Sequence, residues 1–336
     1  MADKNRRTFL RDMASVGGAL VLGGHPSRAQ GAPPIDWSKA VGIQTTVVRD
    51  EMAKSVEATM AQLAEIGYRS VALVGFNGLD AKPYRAILDR HGLTAPQIDQ
   101  GFSIGVDMER DLEACQILGI KYAEPRIGAS ATIRASGPAP AATRSGGAPP
   151  PSAPARGGRG VPPPQTEENA KTTAAEYNRY GQVARKYGLK VTYHNHIEHF
   201  ELAPGEKTTW FDAFMRETDP NTVAMEFDVG FAAVAGQNIP EMLKQYTNRF
   251  PTWDIGDYFG IRNLDAHPNL TPNQRRLYTY AVPIGLGDVD YRTILARAQV
   301  TGMQHGFVVQ GTASTWGGSM AAARTSYQNL MKLLEA

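Results

Sequence analysis

The feature that most restricts the fold is an alternation in which short apolar runs are each followed by a stretch with the apolar spacing of an amphipathic helix. A first strand is expected at Val41–Val48. Its helix is expected at Glu51–Ile66, with Met52, Val56, Met60, Leu63 and Ala64 on one face and Gly67 as the stop. Ser70–Gly75 with helix Ala81–His91 and Ala95–Phe102 with helix Met108–Leu118 repeat the unit, and Ile120–Ile127 begins a fourth whose helix, Thr166–Tyr187, comes late. Leu189–His196, Thr222–Val229, Phe250–Gly256 and Gly306–Gln310 complete eight strands before a closing helix at Met320–Leu334. Parallel strands need crossovers, and helices are the usual ones, so the pattern predicts a parallel α/β sheet. Eight repeats predict that it closes into a (β/α)8 TIM barrel. The alternative, an open doubly wound sheet, is weakened because no GxGxxG or Walker-type glycine loop follows a strand.

Two segments stand outside this pattern. The chain starts MADKNRRTFLRDMASVGGALVLGGHPSRAQG, a basic stretch, a short weakly apolar run and then small residues. That order describes an export signal. Arg6 and Arg7, followed by Thr8, Phe9 and Leu10, resemble the twin-arginine signal, which implies export of a folded protein to the periplasm by the twin-arginine machinery. Cleavage is expected after Ala29, with Ser27 at −3, giving a signal peptide at 1–29 and a barrel at 30–336. Residues 135–165 are almost wholly Ala, Pro, Gly, Ser and Arg, which cannot bury enough apolar surface to offset ordering entropy. A disordered insertion after strand four is therefore expected. Of 336 residues, removing the 29 of the signal and the 31 of the insertion leaves 276, near the ~250 typical of this barrel.

Composition excludes several classes. The single cysteine, Cys115, rules out an internal disulfide, a CxxC pair and a cysteine-based zinc knuckle. A net charge of +2 without a long basic run gives no footprint for nucleic acid. No run of 18 apolar residues occurs, so no membrane span is expected after cleavage. Without the signal and the insertion, 27 Lys and Arg face 31 Asp and Glu, so the barrel carries −4. That suits a cation and a neutral ligand better than a phosphorylated one.

In such barrels the site lies at the C-terminal ends of the strands. Strand five ends in YHNHIEHFE, holding three of the seven histidines, and period two puts His194 and His196 on one face with Asn195 on the other. Imidazoles there serve as metal ligands or acid-base groups, the alternative being hydrogen bonds within the core. Strand six places Glu226 and Asp228 on one face, with Glu226 one layer deeper and equally suited to pairing with an Arg or Lys. Strand seven offers Asp254 and Asp257, strand four Glu124 and Arg126, and strand one Gln44, Arg49 and Asp50. Together they describe an acidic, imidazole-bearing mouth suited to a polyol or hydroxy-ketone.

These residues resemble the xylose isomerase-like TIM barrels known as sugar phosphate isomerases and epimerases. The resemblance runs from about Val41 to the C-terminus and is carried by YHNHIEHFE, the EFD of strand six, Arg249–Pro251, GLGDVDYRTIL from Gly285 to Leu295, and FVVQ from Phe307 to Gln310. It implies a divalent metal, manganese, zinc or magnesium, held by residues of strands five to eight, and a carboxylate that moves a proton between neighbouring carbons. His194 or His196 fills the strand-five place and Asp228 the strand-six place. Asp254 stands where relatives carry His, and Val309 where they carry a ligand Glu. The expected assignment gives His196, Asp228 and Asp254 to the metal, His194, Glu226 and Glu124 to acid-base work, and Gln44, Arg126 and Asp257 to substrate.

The expected function is that of an exported isomerase or epimerase acting on a non-phosphorylated sugar or keto-sugar by proton transfer next to a carbonyl. Two alternatives share these residues. One is elimination from a 3-keto-glycoside by a lyase or hydrolase of the same family, and the other is a barrel that binds sugar without catalysis.

Overall fold

The computed structural model describes residues 35–126, 165–309 and 316–335. The expected signal peptide, all but the last residue of the expected insertion, and Gln310 lie outside these residues. Eight parallel strands close into a barrel in the order β1, β10, β7, β6, β5, β4, β3, β2. They are β1 (Val41–Gln44), β2 (Ser70–Val74), β3 (Thr94–Phe102), β4 (Tyr122–Pro125), β5 (Lys190–His194), β6 (Val223–Asp228), β7 (Thr252–Ile255) and β10 (His305–Val308). Between β7 and β10 the chain adds an antiparallel pair, β8 (Asp257–Phe259) with β9 (Tyr280–Val282), that the strand periodicity did not predict. Three-residue strands are too short to show a period-two pattern.

The helices are α1 (Trp37–Ala40), α2 (Arg49–Lys54), α3 (Val56–Ile66), α4 (Ala81–Arg90), α5 (Met108–Leu118), α6 (Glu167–Ala184), α7 (Trp210–Glu217), α8 (Val229–Val234), α9 (Ile239–Gln245), α10 (Pro272–Arg275), α11 (Tyr291–Leu295), α12 (Ala298–Thr301) and α13 (Ser319–Glu335). Capping residues set many of their ends. The single helix expected at Glu51–Ile66 is broken at Ser55, whose extended backbone ends α2 and whose hydroxyl accepts the Ala58 N–H to start α3. Thr166 and Thr209 cap α6 and α7 in the same way. Gly119 closes α5 with the positive φ (82°) that a left-handed cap requires.

Alternate side chains of each strand point outward, and there the apolar core lies. Val191, Met225, Phe227, Trp253, Ile255 and Val308 are fully buried against the helices, and Phe227 stacks on Phe250 at 4.5 Å between centroids. Burying each such side chain stabilises the fold by about 1.5–3 kcal/mol. Arg249 of the Arg249–Pro251 motif ties this layer together by donating to Met215 O and Thr218 Oγ1. The inward side chains are mostly polar. The register makes His305, Thr252, Glu226 and His194 neighbours across β10, β7, β6 and β5, and sets Asp228 beside Asp254 and Asp254 beside Phe307. Gly42 makes room for the Phe307 ring, which would lie 2.7 Å from an added Cβ.

Candidate functional site

The strand ends bring Gln44, Asp99, Glu124, His194, Glu226, Asp228 and Asp254 to the C-terminal end of the barrel interior. Among the described residues, His194, Asp228 and Asp254 form the one group of His, Cys, Asp or Glu whose ligand atoms all lie within 4.8 Å of one another. His194 Nε2 is 3.5 Å from Asp228 Oδ2 and 3.4 Å from Asp254 Oδ2. Asp228 is the N-cap of α8, its Oδ1 accepting the Phe231 N–H at 2.7 Å, which leaves Oδ2 for the imidazole. The first turn of α8 lies close on the end of β7 because residue 230 is Gly, where a Cβ would sit 2.5 Å from Gly256 O.

Gln44 Nε2 donates to Asp99 Oδ2 (2.9 Å) and Asp254 Oδ2 (3.3 Å), and Gln97 Nε2 donates to Asp99 Oδ1 (3.3 Å). The structure thus makes Gln44 a bridge between two carboxylates. Glu226 is fully buried, and no donor faces either of its oxygens. Its carboxyl lies beside those of Asp254 and Asp99, and two carboxyls share a hydrogen bond only when one carries a proton. Burial, reinforced by the charges of Asp99, Asp254 and Glu124, pushes the Glu226 pKa well above the carboxylate range. Burial likewise raises Asp254, although the His194 charge opposes it.

Glu124 is partly buried, and burial together with the Asp99 charge pushes its pKa up to about 8 while His194 opposes the shift. For His194, burial disfavours the charged ring. The Asp228 hydrogen bond and the charges of Asp254, Asp228 and Glu124 overcome that and push it up to about 10. A proton and a divalent cation therefore compete for the same nitrogen.

This donor set fits a divalent metal. One imidazole nitrogen and two carboxylates, with Asp254 Oδ1 buried and without a partner, match the three protein ligands of catalytic metal sites that keep open positions. Val309, the next inward position after Phe307, contributes no ligand atom.

The other expected residues sit differently. β5 stops at His194, so His196 does not continue its face. It caps a 3-10 turn at Ile197–Phe200, its side chain is 44% exposed, and its Nδ1 is 3.8 Å from Glu198 Oε1. The structure brings His194, and not His196, to the two aspartates. Asp257 corrects the substrate-binding expectation. It is buried, and its carboxylate accepts the N–H groups of Tyr258, Gly285, Gly287 and Val289, so it anchors the loop carrying GLGDVD. Arg126 turns its guanidinium to Gln100 O and Ser103 Oγ, with Asp111 at 3.9 Å, and stays 41% exposed. His199 is a core histidine, its Nδ1 accepting the His196 N–H and its Nε2 meeting Tyr193 Oη at 3.1 Å. Burial and the neighbouring histidines hold it neutral.

Sequence reasoning missed Asp99, Gln97, Asn195 and Phe231. Period two within Thr94–Phe102 places Gln97 and Asp99 on one face, and applying it there finds both. Phe231, whose ring lies 6.2 Å from His194 and 5.7 Å from His196, follows from capping by Asp228 rather than from strand alternation.

The strands form a closed parallel barrel with a His-Asp-Asp group at its C-terminal mouth, and comparison with known proteins agrees on the fold. No family model matches the chain. The structural neighbours are xylose isomerase-like sugar phosphate isomerase/epimerase barrels. A sugar phosphate isomerase/epimerase from Parabacteroides distasonis matches with TM-score 0.62 and 19% identity, over 87% of this chain and 93% of that one. The IolI protein with a bound zinc atom matches with TM-score 0.55 and 11% identity, over 88% and 98%. At these identities the likeness is one of fold. In sequence, an inosose dehydratase of Clostridium perfringens is 36% identical over 83 residues, which span 25% of this chain and 27% of that enzyme. The chain thus spans about a quarter of the length of that curated relative.

Proposed function

We propose that the protein is a metal-assisted enzyme that removes a proton next to the carbonyl of a neutral, non-phosphorylated keto-sugar or keto-polyol. The observation that carries this reading is the His194, Asp228 and Asp254 group together with a carboxyl, Glu124, held near neutrality. A general base works best with a pKa near the operating pH. When bound, the metal supplies Lewis-acid polarisation of a substrate carbonyl or hydroxyl. Its candidate ligands are His194 Nε2, Asp228 Oδ2 and an oxygen of Asp254. Glu124 takes the proton from carbon, Gln44 holds Asp254 in place, and Phe231 offers an apolar face to a sugar ring. Arg126 donates to Gln100 O and Ser103 Oγ, and the interior around the site is acidic, which favours a neutral substrate over an anion.

Isomerisation or epimerisation returns the proton to carbon, whereas elimination expels a neighbouring oxygen from the same carbanionic state. The sequence relative named inosose dehydratase favours elimination as the second reading. We also propose export through the twin-arginine route, on the strength of Arg6, Arg7 and the segment that follows. Incubating the metal-loaded mature chain with a panel of keto-sugars and keto-inositols and identifying products by NMR separates the two reactions. Epimers or isomers support the first, and an enone or a released aglycone the second. Unchanged substrate across the panel contradicts both.

A further inference from the structure

Asn195 has no part in the acid-base and ligand roles above, yet it stands between two of the candidate ligands. β5 and β6 pair up to His194 opposite Glu226, after which the backbone of β5 turns away into the 3-10 turn that His196 caps. The next rung is made by a side chain. Asn195 Oδ1 accepts the Asp228 N–H at 2.9 Å, and Asn195 Nδ2 donates to Asp228 O at 3.2 Å. A carboxamide carries the same donor and acceptor as a peptide group, so Asn195 extends the ladder by one residue after the strand has left. The side chain is fully buried, and removing it leaves both backbone groups of Asp228 without these partners out of reach of water.

Asp228 is then held at three atoms. Asn195 fixes its N and O, the Phe231 N–H fixes Oδ1, and Oδ2 faces His194 at 3.5 Å. Asn195 is covalently next to His194 and hydrogen-bonded to Asp228, so it couples the two from behind. We propose that Asn195 is a positioning residue that sets the His194–Asp228 spacing and thereby the affinity and coordination geometry of a divalent cation at this site. The inference rests on reading His194, Asp228 and Asp254 as a cation site.

A control exists elsewhere in the fold. The partly buried Asn178 also makes two bonds to backbone, donating to Glu217 O (2.9 Å) and accepting the Asp219 N–H (2.7 Å), ahead of the N-terminal end of β6. The test titrates cobalt(II) into metal-free full-length wild type, Asn195→Ala, Asn195→Asp and Asn178→Ala, reading the dissociation constant and the visible spectrum. Asn195→Asp keeps the size and the acceptor but loses the donor, which guards against an alanine variant that fails to fold. Both Asn195 variants are expected to bind cobalt about 10–100-fold more weakly with shifted visible bands, while Asn178→Ala keeps wild-type affinity and spectrum. Wild-type affinity and spectrum in folded Asn195→Asp, or equal weakening in Asn178→Ala, overturns the positioning role alone. Absence of cobalt binding in wild type overturns the cation reading and this role with it.

Discussion

Asp228 and Asp254 are held by different means, and each depends on its neighbours. Asp228 is fixed through the cap it makes on α8, and Asp254 through Gln44. Glu124, the proposed base, is met by the Gln100 backbone N–H. Replacing it by Gln is expected to lower kcat by about 10²–10⁴-fold while metal affinity stays within a few-fold of wild type, measured by steady-state kinetics alongside metal titration. A matching loss of metal would make Glu124 a ligand instead. The pKa shifts also fix the pH response of the metal-free protein. The Glu124 pKa rises from 4.5 to about 8 and that of His194 from 6.5 to about 10. Both are raised in the fold, so the stability each contributes is full below its ordinary value and is lost as pH rises through its folded one. Melting temperature is therefore expected to fall from pH 6 to pH 10, less steeply in Glu124→Gln. A flat profile would contradict these assignments.

At the scale of elements, strand ends and caps decide which side chains meet. The eight strands were legible from the apolar runs, the shared face of Glu226 and Asp228 from strand alternation, and the place of Asp254 from the family resemblance. His196 was not, since alternation holds only while the strand continues, and β5 ends at His194, two residues early, where the Asn195 side chain takes over the pairing with Asp228. Asp257 was misread for a related reason. A carboxylate at a strand end looks the same in sequence whether it faces substrate or collects amides from a loop 28 to 32 residues away. Asp257→Ala removes the partner of four backbone N–H groups, each costing about 1–3 kcal/mol when left unmet. Loop relaxation into water recovers part of that, so a loss of about 2–4 kcal/mol is expected in denaturant unfolding. A change below about 0.5 kcal/mol, the range of ordinary surface substitutions, would show that the loop does not depend on this anchor.

For the molecule as a whole, the barrel places its apolar core outside the strands and its charges inside, an arrangement that asks for a cation or for protons. Five carboxyls, Asp99, Glu124, Glu226, Asp228 and Asp254, share the interior with the imidazoles of His194 and His305. A cation that binds only the folded state stabilises it by about 2.7 kcal/mol at a hundred times its dissociation constant. Thermal unfolding with zinc or manganese, set against chelator, is expected to show that gain in wild type and none in Asp228→Ala. An equal gain in both would place the ion elsewhere. Proton removal next to a carbonyl at the His194, Asp228 and Asp254 group is read by solvent deuterium incorporation into a neutral keto-sugar or keto-inositol. Metal-loaded wild type is expected to introduce deuterium at the carbon next to the carbonyl, with Glu124→Gln and Asp228→Ala slowed at least about a hundredfold. Exchange that proceeds equally in all three proteins, or in none, contradicts the account.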